Sequence, residues 1–218
     1  MSAVDTVVLT SPRARRRRLL RKRFFRRRMA VAGLVVVLGF VTAAIFAPLL
    51  APYGAGATDF NALLAHPSGK HLLGTDYLGR DILSRTLWGA RASIQAGFFA
   101  TMLALREEDY VPAAIANGAG DGTIIFRHIL PNMTSTLIVQ ATVTIPAAIV
   151  GEAVLSFLGL GVQPPTPSWG TMLQDAQSYL TQAPRLAVYP GLAIVLAALA
   201  FNVLGDGLRD ILDPRTTR

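Results

Sequence analysis

One charge-free stretch restricts the fold of this chain more than any other feature. Residues 29–51, MAVAGLVVVLGFVTAAIFAPLLA, are 23 positions without a charged side chain. A helix needs about 20 apolar residues to cross the hydrocarbon core of a bilayer, so the run predicts a membrane-spanning helix. It is too long for the apolar region of a signal peptide, which indicates a retained anchor. A buried helix of a soluble core is the alternative, and the adjoining arginine-rich block argues against it.

Two further charge-free runs, 129–151 and 186–205, are also long enough to cross a bilayer. Each has a proline inside it or at its edge, which membrane helices tolerate when neighbouring groups satisfy the backbone. Residues 92–105 are a weaker candidate, because 14 uncharged residues of helix cover only roughly 21 Å. They cross only if the residues before Arg91 join the helix and Arg91 extends its side chain to the interface. We therefore predict an all-α integral membrane protein with about four spans.

The positive charge of the chain is concentrated at its N-terminus. Residues 1–28 contain 11 of the 21 lysines and arginines and a single acid, whereas the remainder is slightly acidic. Because basic residues accumulate in cytoplasmic segments, this distribution predicts that both termini are cytoplasmic. The arginines expected to set the topology are Arg15, Arg16, Arg17, Arg18, Arg26, Arg27 and Arg28. A nucleic-acid-binding tail is a less favoured alternative, because only two aromatic residues interleave and the block adjoins a span.

This topology divides the chain into five parts. They are a basic cytoplasmic tail (1–28), a first transmembrane helix (29–51), an extracytoplasmic segment (52–87), the remaining transmembrane domain (88–207) and a cytoplasmic C-terminal tail (208–218). Zero cysteines exclude disulfides, thiolate zinc sites and a cysteine nucleophile.

The outer segments contain turn signals and no catalytic spacing. The sequences Gly74-Thr75-Asp76 and Gly79-Arg80-Asp81 predict turns leading into a helix, with Asp76 or Asp81 as its cap. Both aspartates and His71 are conceivable metal ligands, but a solvated loop is favoured, because their spacing matches no ligand set.

Two residues near the predicted outer ends of the spans have open roles. Trp169 follows a proline-rich loop and suits the membrane interface. Glu152, near an outer span end, marks either a transport pathway or a contact with lipid headgroups. The residues alone do not decide between these two roles for Glu152.

Residues 106–131 predict two short helices separated by a turn at the cytoplasmic face. Acidic residues open the first helix, and Asn117-Gly118 is a stop signal. The small alanines of the first helix would permit close approach to a groove on a partner protein. The alternative, a connector with no binding role, fits the same residues equally well.

This segment resembles the EAA loop of ABC importer permeases, whose pattern is Glu-Ala-Ala, three residues, Gly, and a closing Ile/Leu-Pro. Pro112 stands where the motif has its glutamate, and His128 occupies the usual isoleucine position. The residues that match the motif, and that the resemblance implies to be the ATPase-coupling residues, are Ala113, Ala114, Gly118, Leu130 and Pro131.

Three further segments resemble one branch, the dipeptide, oligopeptide and nickel importer permeases, and the second of their two permease subunits. These are HPSGKHLLGTDYLGRDILSR (66–85), GEAVLSFLGLGVQPPTPSWGTML (151–173) and GDGLRDILDPR (205–215). The resemblance implies a type I ABC importer permease with no active site, metal or cofactor of its own. ATP-Mg is bound by partner ATPase subunits, consistent with the absence of a P-loop sequence here. The other implied partners are a second permease, an extracytoplasmic substrate-binding protein and the lipid of a bacterial or archaeal plasma membrane.

The chain departs from this family in length. Such permeases usually have six spans, whereas here residues 100–105 run directly into the EAA loop at 106–131. We therefore expect an internal segment to be absent after Leu105, whether naturally, by engineering or by omission. Loss of an even number of crossings keeps the EAA loop cytoplasmic. Transport is expected to be impaired, because the lost helices would leave the pathway unlined. The sequence leaves open whether the substrate is a di- or oligopeptide, nickel or another small solute.

Overall fold

The computed structural model describes residues 24–106 and 130–212, with side chains described for 24–103 and 139–211. This part of the chain is helical and contains no strand, which confirms the all-α prediction. Its elements are α1 (Arg28–Leu50), α2 (Ile82–Arg106), α3 (Leu130–Phe157), α4 (Trp169–Ala176), a 3₁₀ turn (Gln177–Tyr179) and α5 (Arg185–Leu212).

Three helices of the described residues are long and apolar enough to cross a membrane. They are Arg28–Leu50, Val139–Phe157 and Arg185–Ile211. The first coincides within one residue with the charge-free run 29–51, so the strongest pattern in the sequence corresponds to an uninterrupted helix. Pro146 and Pro190 lie inside α3 and α5 without ending them.

Helix α2 is longer than its uncharged stretch. It begins at Ile82 and contains 25 residues, a length of about 37 Å. Length therefore does not prevent α2 from crossing. It differs from the three apolar helices in composition, because it contains three arginines. The sequence-based estimate of about 21 Å was too short because it began the uncharged stretch after Arg91, whereas α2 contains both Arg91 and Arg85. Arg85 is neutralised there by two aspartates.

Helix α3 also continues past a charge that the sequence placed near its outer end. The helix runs through Glu152 to Phe157, and Glu152 is only 8% exposed. At the other end of the chain, α5 continues beyond Gly205 to Leu212. Both extensions carry ionisable residues on helices that are otherwise apolar.

The four long helices form a ring in the order α1, α2, α3, α5, with α5 packed against α1. Small residues allow these helices to approach closely, as is common where lipid supplies no hydrophobic drive for helix association. A Cβ on Gly205 of α5 would lie 2.7 Å from the Thr142 hydroxyl of α3, and one on Gly97 of α2 would lie 3.0 Å from Ile149. The core between the helices is accordingly rich in alanine.

Large apolar side chains are exposed on all four long helices. Examples are Leu38 and Ile45 on α1, Phe99 on α2, Val154 on α3 and Leu199 on α5. A soluble monomer rarely exposes such extensive apolar surface, so these faces suit lipid or neighbouring membrane helices.

One end of the ring is covered by a folded cap, which we define as residues 51–81, loop 158–168, α4 and the 3₁₀ turn. The Arg185 side chain at the start of α5 donates to the carbonyls of Leu64 (2.6 Å) and Ala65 (3.1 Å). A second small core, centred on Ile82 and Met172, lies beneath the cap. The cap is therefore attached to the ends of α2 and α5.

The turn signals in the cap predicted its local structure correctly. Gly74 and Gly79 adopt positive φ values of 81° and 74°. Gly79 packs directly on the backbone of Asp59, where a side chain would clash. Asp81 precedes α2 and its Oδ2 accepts the Ser84 backbone N–H at 2.8 Å, which confirms it as the helix cap.

Candidate functional site

Two aspartates and two arginines meet where the cap joins α2 and α4. Asp76 Oδ2 accepts from Arg80 Nε and from Arg85 Nη1, both at 2.6 Å. Asp175 Oδ2 of α4 accepts from the same two arginines at 3.1 Å. Asp76 and Arg85 are almost completely buried. This ionic cluster connects the turn at 74–81, α2 and α4.

The cluster is stable because its charges balance and its oxygens are hydrogen-bonded. Asp76 Oδ1 also accepts the backbone N–H groups of Leu78 and Arg80, each at 2.9 Å. Burial alone would lower the pKa of Arg80, but the attraction of Asp76 and then Asp175 raises it above its ordinary value. Buried ion pairs need this degree of hydrogen bonding to offset their loss of hydration.

Tyr77 borders the ionic cluster. Its ring stacks on Tyr179 with centroids 5.1 Å apart, the Arg80 guanidinium lies 5.3 Å from its centroid, and its hydroxyl donates to Asp175 at 3.3 Å. Burial, followed by the negative charge of Asp175, raises the pKa of Tyr77. Tyr77 therefore remains a neutral hydrogen-bond donor at physiological pH.

His71 forms a second buried polar contact. Its Nδ1 lies 3.0 Å from Asp81 Oδ1, its ring packs 5.1 Å from that of Tyr53, and only 4% of the residue is exposed. Its Nε2 has no hydrogen-bond partner among the described residues and lies 3.9 Å from Asp59 Oδ2. The expectation of a solvated loop was wrong for these side chains, because the cap folds over them.

The residues considered as metal ligands are used for other contacts. Asp76 faces two arginines, whereas Asp81 caps α2 and pairs with His71. Among the described residues, no group of three or more histidine or acidic side chains is placed to hold a metal ion.

Lys70 and Asp59 form an exposed pair at the edge of the cap. Lys70 Nζ donates to Asp59 Oδ2 at 2.6 Å. This bond, with a second from the Asn61 backbone, lowers the pKa of Asp59, and the same bond raises the pKa of Lys70. Water screens such surface pairs, so this one contributes little to folding.

Glu152 lies in the packing between α2, α3 and α4. Its Oε2 accepts from Ser93 of α2 at 2.9 Å, and its Oε1 accepts from Ser156 of α3 at 2.6 Å. The same serine oxygens accept backbone N–H groups, Ser93 from Trp169 at 3.3 Å and Ser156 from Val162 at 3.0 Å. Glu152 thereby connects both helices to the cap, while its predicted pathway role stays a prediction.

Trp169 is fully buried instead of lying at a membrane interface. Ser168 caps α4 by accepting the Thr171 N–H at 3.1 Å, and this directs the first residue of the helix into the bundle. The Trp169 indole donates to the Thr86 carbonyl at 3.0 Å and packs edge-on against Phe40. The interface prediction failed because it considered only the residue type and its neighbouring prolines.

A pocket of about 450 Å³ opens between the two outer segments of the cap. Its lining includes Ala55, Trp88, Arg91, Gln95, Pro165 and Pro167. Arg91 makes no hydrogen bond or ion pair with any residue that the structure describes. A second pocket of about 390 Å³, lined by Arg27, Arg28 and Asp206 among others, lies at the opposite end of the bundle.

The predicted coupling and topology residues are described only in part. Ala113, Ala114 and Gly118 lie outside the described residues, as do Arg15, Arg16, Arg17 and Arg18. Leu130 and Pro131 are the first two residues of α3. Arg26, Arg27 and Arg28 are exposed at the start of α1, where Arg27 pairs with Asp210 of α5.

The geometry is that of a multi-pass helical membrane protein with a folded cap, and comparison with known proteins identifies its family. Residues 19–218 match the family described as the inner membrane component of binding-protein-dependent transport systems. The chain belongs to this family, the permease subunits of ABC importers. The match extends over the bundle and the cap together.

Individual relatives agree with the family. The chain is 34% identical to the dipeptide transport system permease protein DppC of Alkalihalophilus pseudofirmus, with 87% of each chain covered. It is 35% identical to the glutathione transport system permease protein GsiD of Escherichia coli and to that of Shigella flexneri, with 87% of this chain and 88% of each relative covered.

These alignments are longer than the chain itself. The DppC alignment extends over 264 positions, but 87% of 218 residues is only about 190, so about 74 positions of the relative have no counterpart here. The gaps lie inside the matched region, which supports the expectation of an absent internal segment. Its location after Leu105 stays a prediction.

Several residues that hold the cap together were missed by sequence reasoning. These are Arg80, Arg85, Asp175, Ser93 and Ser156. Asp175 lies about 90 positions from its arginine partners, so no local spacing signals the contact. The sequence did contain one clue to this contact. An arginine close to an apolar segment is expected to pair with another group.

Proposed function

We propose that this permease subunit imports di- or oligopeptides and couples their passage to ATP hydrolysis by partner subunits. The observation that carries the proposal is the family match across residues 19–218, together with relatives named as dipeptide and glutathione permeases. Dipeptides and glutathione share a peptide bond and a free carboxylate, so a small peptide is the common substrate class.

The proposed orientation places the cap outside and the EAA loop inside. Basic residues are concentrated at the N-terminal end of α1, the end opposite the cap, in keeping with the bias toward cytoplasmic positive charge. Both termini are then cytoplasmic, and the cap faces the substrate-binding protein. Because α2 starts at the cap and ends at Arg106, this orientation implies that the chain enters the EAA loop from the cytoplasmic side.

ATP is bound and hydrolysed on separate ATPase subunits in this proposal, and this chain contributes no cofactor site. A short helix at about 108–118 would sit in a groove on an ATPase and move with it. A second permease subunit would complete the pathway, which alternates between inward and outward openings.

The coupling assignment is tested with substitutions that fill the small surface of this helix. Ala113→Glu and Gly118→Leu are expected to reduce co-purification of the cognate ATPase, because both add bulk where close approach is required. Gly39→Leu is a suitable control, since a Cβ there meets nothing within 4 Å. Undiminished recovery of the ATPase with both coupling variants would refute the assignment.

A second candidate is a subunit that inserts and assembles but transports poorly. It is supported by the relatives' additional positions, about 74 in the DppC alignment, which have no counterpart in this chain. Membrane helices within these positions would line the pathway or support its walls. An importer of nickel or another small solute is a further alternative within the same family, and competition by peptides against metal ions in an uptake assay separates the two.

A further inference from the structure

The pocket between the two outer segments contains an arginine that the structure leaves without a partner. Arg91 is exposed in the pocket of about 450 Å³ and has no acidic neighbour within hydrogen-bonding reach among the described residues. Every other described arginine of the cap region is engaged: Arg80 and Arg85 pair with aspartates, and Arg185 donates to two carbonyls. Arg91 is therefore available for a ligand.

The position of Arg91 is where a substrate entering from the cap side would first meet the membrane helices. The Trp88 indole donates to the Tyr53 carbonyl at 3.3 Å, which places Trp88 level with the end of α1. Arg91 and Gln95 follow about one and two turns deeper along α2. Charged side chains at such depth commonly mark a pathway for a polar solute.

The pocket and Glu152 lie on opposite faces of α2. Ser93 faces Glu152, and residues two apart on a helix point in nearly opposite directions. Arg91 thus faces away from Glu152. Its charge is balanced by no group of α3 or α4 that the structure describes.

The chemistry of the pocket suits a small carboxylate-bearing ligand. An arginine presents a planar fork that binds carboxylates with two parallel hydrogen bonds. Gln95 adds an amide one turn away, and Trp88 with Pro165 and Pro167 supplies apolar walls. A volume of about 450 Å³ is within the usual range of small-molecule sites.

We propose that Arg91 and Gln95 form a subsite that binds the free carboxylate of a peptide as it enters the permease. This inference rests on the proposed function, because it takes the peptide as substrate. A lipid phosphate is the other source of a suitable anion, and the lipid exchange in the test below distinguishes it from a peptide carboxylate.

The test uses the assembled complex in nanodiscs and a dipeptide with a photoreactive diazirine in its side chain. We expect irradiation to label residues within 88–95 or 165–167. An unlabelled dipeptide with a free carboxylate should compete about fivefold better than its C-terminal amide, as estimated for one charged hydrogen-bonding contact at a solvent-exposed site.

Two substitutions of Arg91 separate charge from geometry. Arg91→Gln should abolish the preference for the acid over the amide, and Arg91→Lys should retain part of it because the charge remains without the fork. The control Arg209→Gln removes a positive charge near the far end of α5 and should retain the full preference. If Arg91→Gln fails to assemble, Arg91→Lys and the wild-type comparison of acid with amide still decide the outcome.

Several outcomes would overturn the subsite. These are equal competition by acid and amide in the wild type, labelling outside the pocket, and acid preference unchanged in Arg91→Gln. Loss of labelling when anionic lipid replaces zwitterionic lipid would assign the pocket to a headgroup instead.

ATP-dependent uptake of a dipeptide by the same complex is measured separately. Peptide uptake without acid preference refutes the subsite alone, whereas absence of both labelling and uptake refutes peptide import by this chain and favours the poorly transporting subunit.

Discussion

Asp76 accepts four hydrogen bonds inside the cap, two from backbone N–H groups and two from arginines. A carboxylate with this many donors fixes the turn that precedes α2 and neutralises Arg85 at the same time. At the scale of single residues, the cap therefore depends on a few buried charges. Arg80 and Arg85 lie four and nine positions from Asp76, whereas Asp175 lies 90 positions from Arg85.

Replacing Asp76 with asparagine should destabilise the cap strongly. Arg80 and Arg85 would keep only Asp175 as an acidic partner, and breaking a buried ion pair from one side costs about 3–5 kcal/mol. Thermal unfolding of the purified protein in detergent measures the effect. Asp59→Asn is the matched control, because it removes an aspartate from an exposed pair; an equally small shift for both variants would contradict the role given to Asp76.

The pKa of Asp59 predicts a small pH effect with a definite sign. Because its folded pKa is below the ordinary value of 3.8, the ionised carboxylate stabilises the folded state above that pH, and this is lost as pH falls through the lower folded pKa. The acid-induced decrease in unfolding temperature should therefore be slightly smaller in Asp59→Asn. A larger decrease in the variant would show that the sign is wrong.

Glu152 offers a test that separates packing from transport. Glu152→Gln keeps an oxygen acceptor for Ser93 or Ser156, whereas Glu152→Ala leaves both hydroxyls without it, at a cost of about 1–3 kcal/mol. Detergent unfolding should therefore rank alanine well below glutamine and wild type. Normal stability of Glu152→Gln combined with loss of peptide uptake would instead favour the pathway role predicted from sequence.

At the scale of elements, the apolar helices could be predicted from sequence and the charged ones only in part. A charge-free run of 23 residues leaves few structural choices, and α1 follows it closely. The start of α2 and the end of α3 were misplaced because sequence reasoning ended the apolar spans at an ionisable residue, Arg91 in α2 and Glu152 in α3. The ionic cluster and the pocket were missed because each needs residues from three separate segments to come together.

Close helix packing gives a prediction for α5. Gly205→Leu should destabilise the bundle by about 1–3 kcal/mol, because a Cβ there would lie 2.7 Å from the Thr142 hydroxyl and force α3 and α5 apart. Gly39→Leu on α1 makes the same change where nothing lies within 4 Å. Comparable unfolding temperatures for the two variants would argue against close contact between α3 and α5.

At the scale of the whole molecule, the bundle resembles a permease from which part has been removed. The exposed apolar face of α2, which includes Phe98, Phe99 and Met102, has no partner helix among the described residues. The positions that the DppC relative has and this chain lacks, about 74, are numerous enough to supply helices that would cover this face. A lost pair of helices would leave the cap and the other helices in place while opening the pathway.

The shortened chain should accordingly assemble better than it transports. Inserting the corresponding segment of a relative after Leu105 is expected to raise ATP-dependent dipeptide uptake in proteoliposomes while leaving recovery of partner subunits unchanged. Equal uptake with and without the inserted segment would show that the chain is functionally complete as it stands.

The central claim, that this chain is the membrane subunit of a binding-protein-dependent peptide importer, is tested most directly by the composition of its native complex. A tag on the chain allows the complex to be purified from membranes and its subunits to be identified by mass spectrometry. We predict recovery of a second permease and an ATPase in comparable amounts, with a peptide-binding protein associating when substrate is present. Recovery of the chain alone, or with partners unrelated to transport, would contradict it.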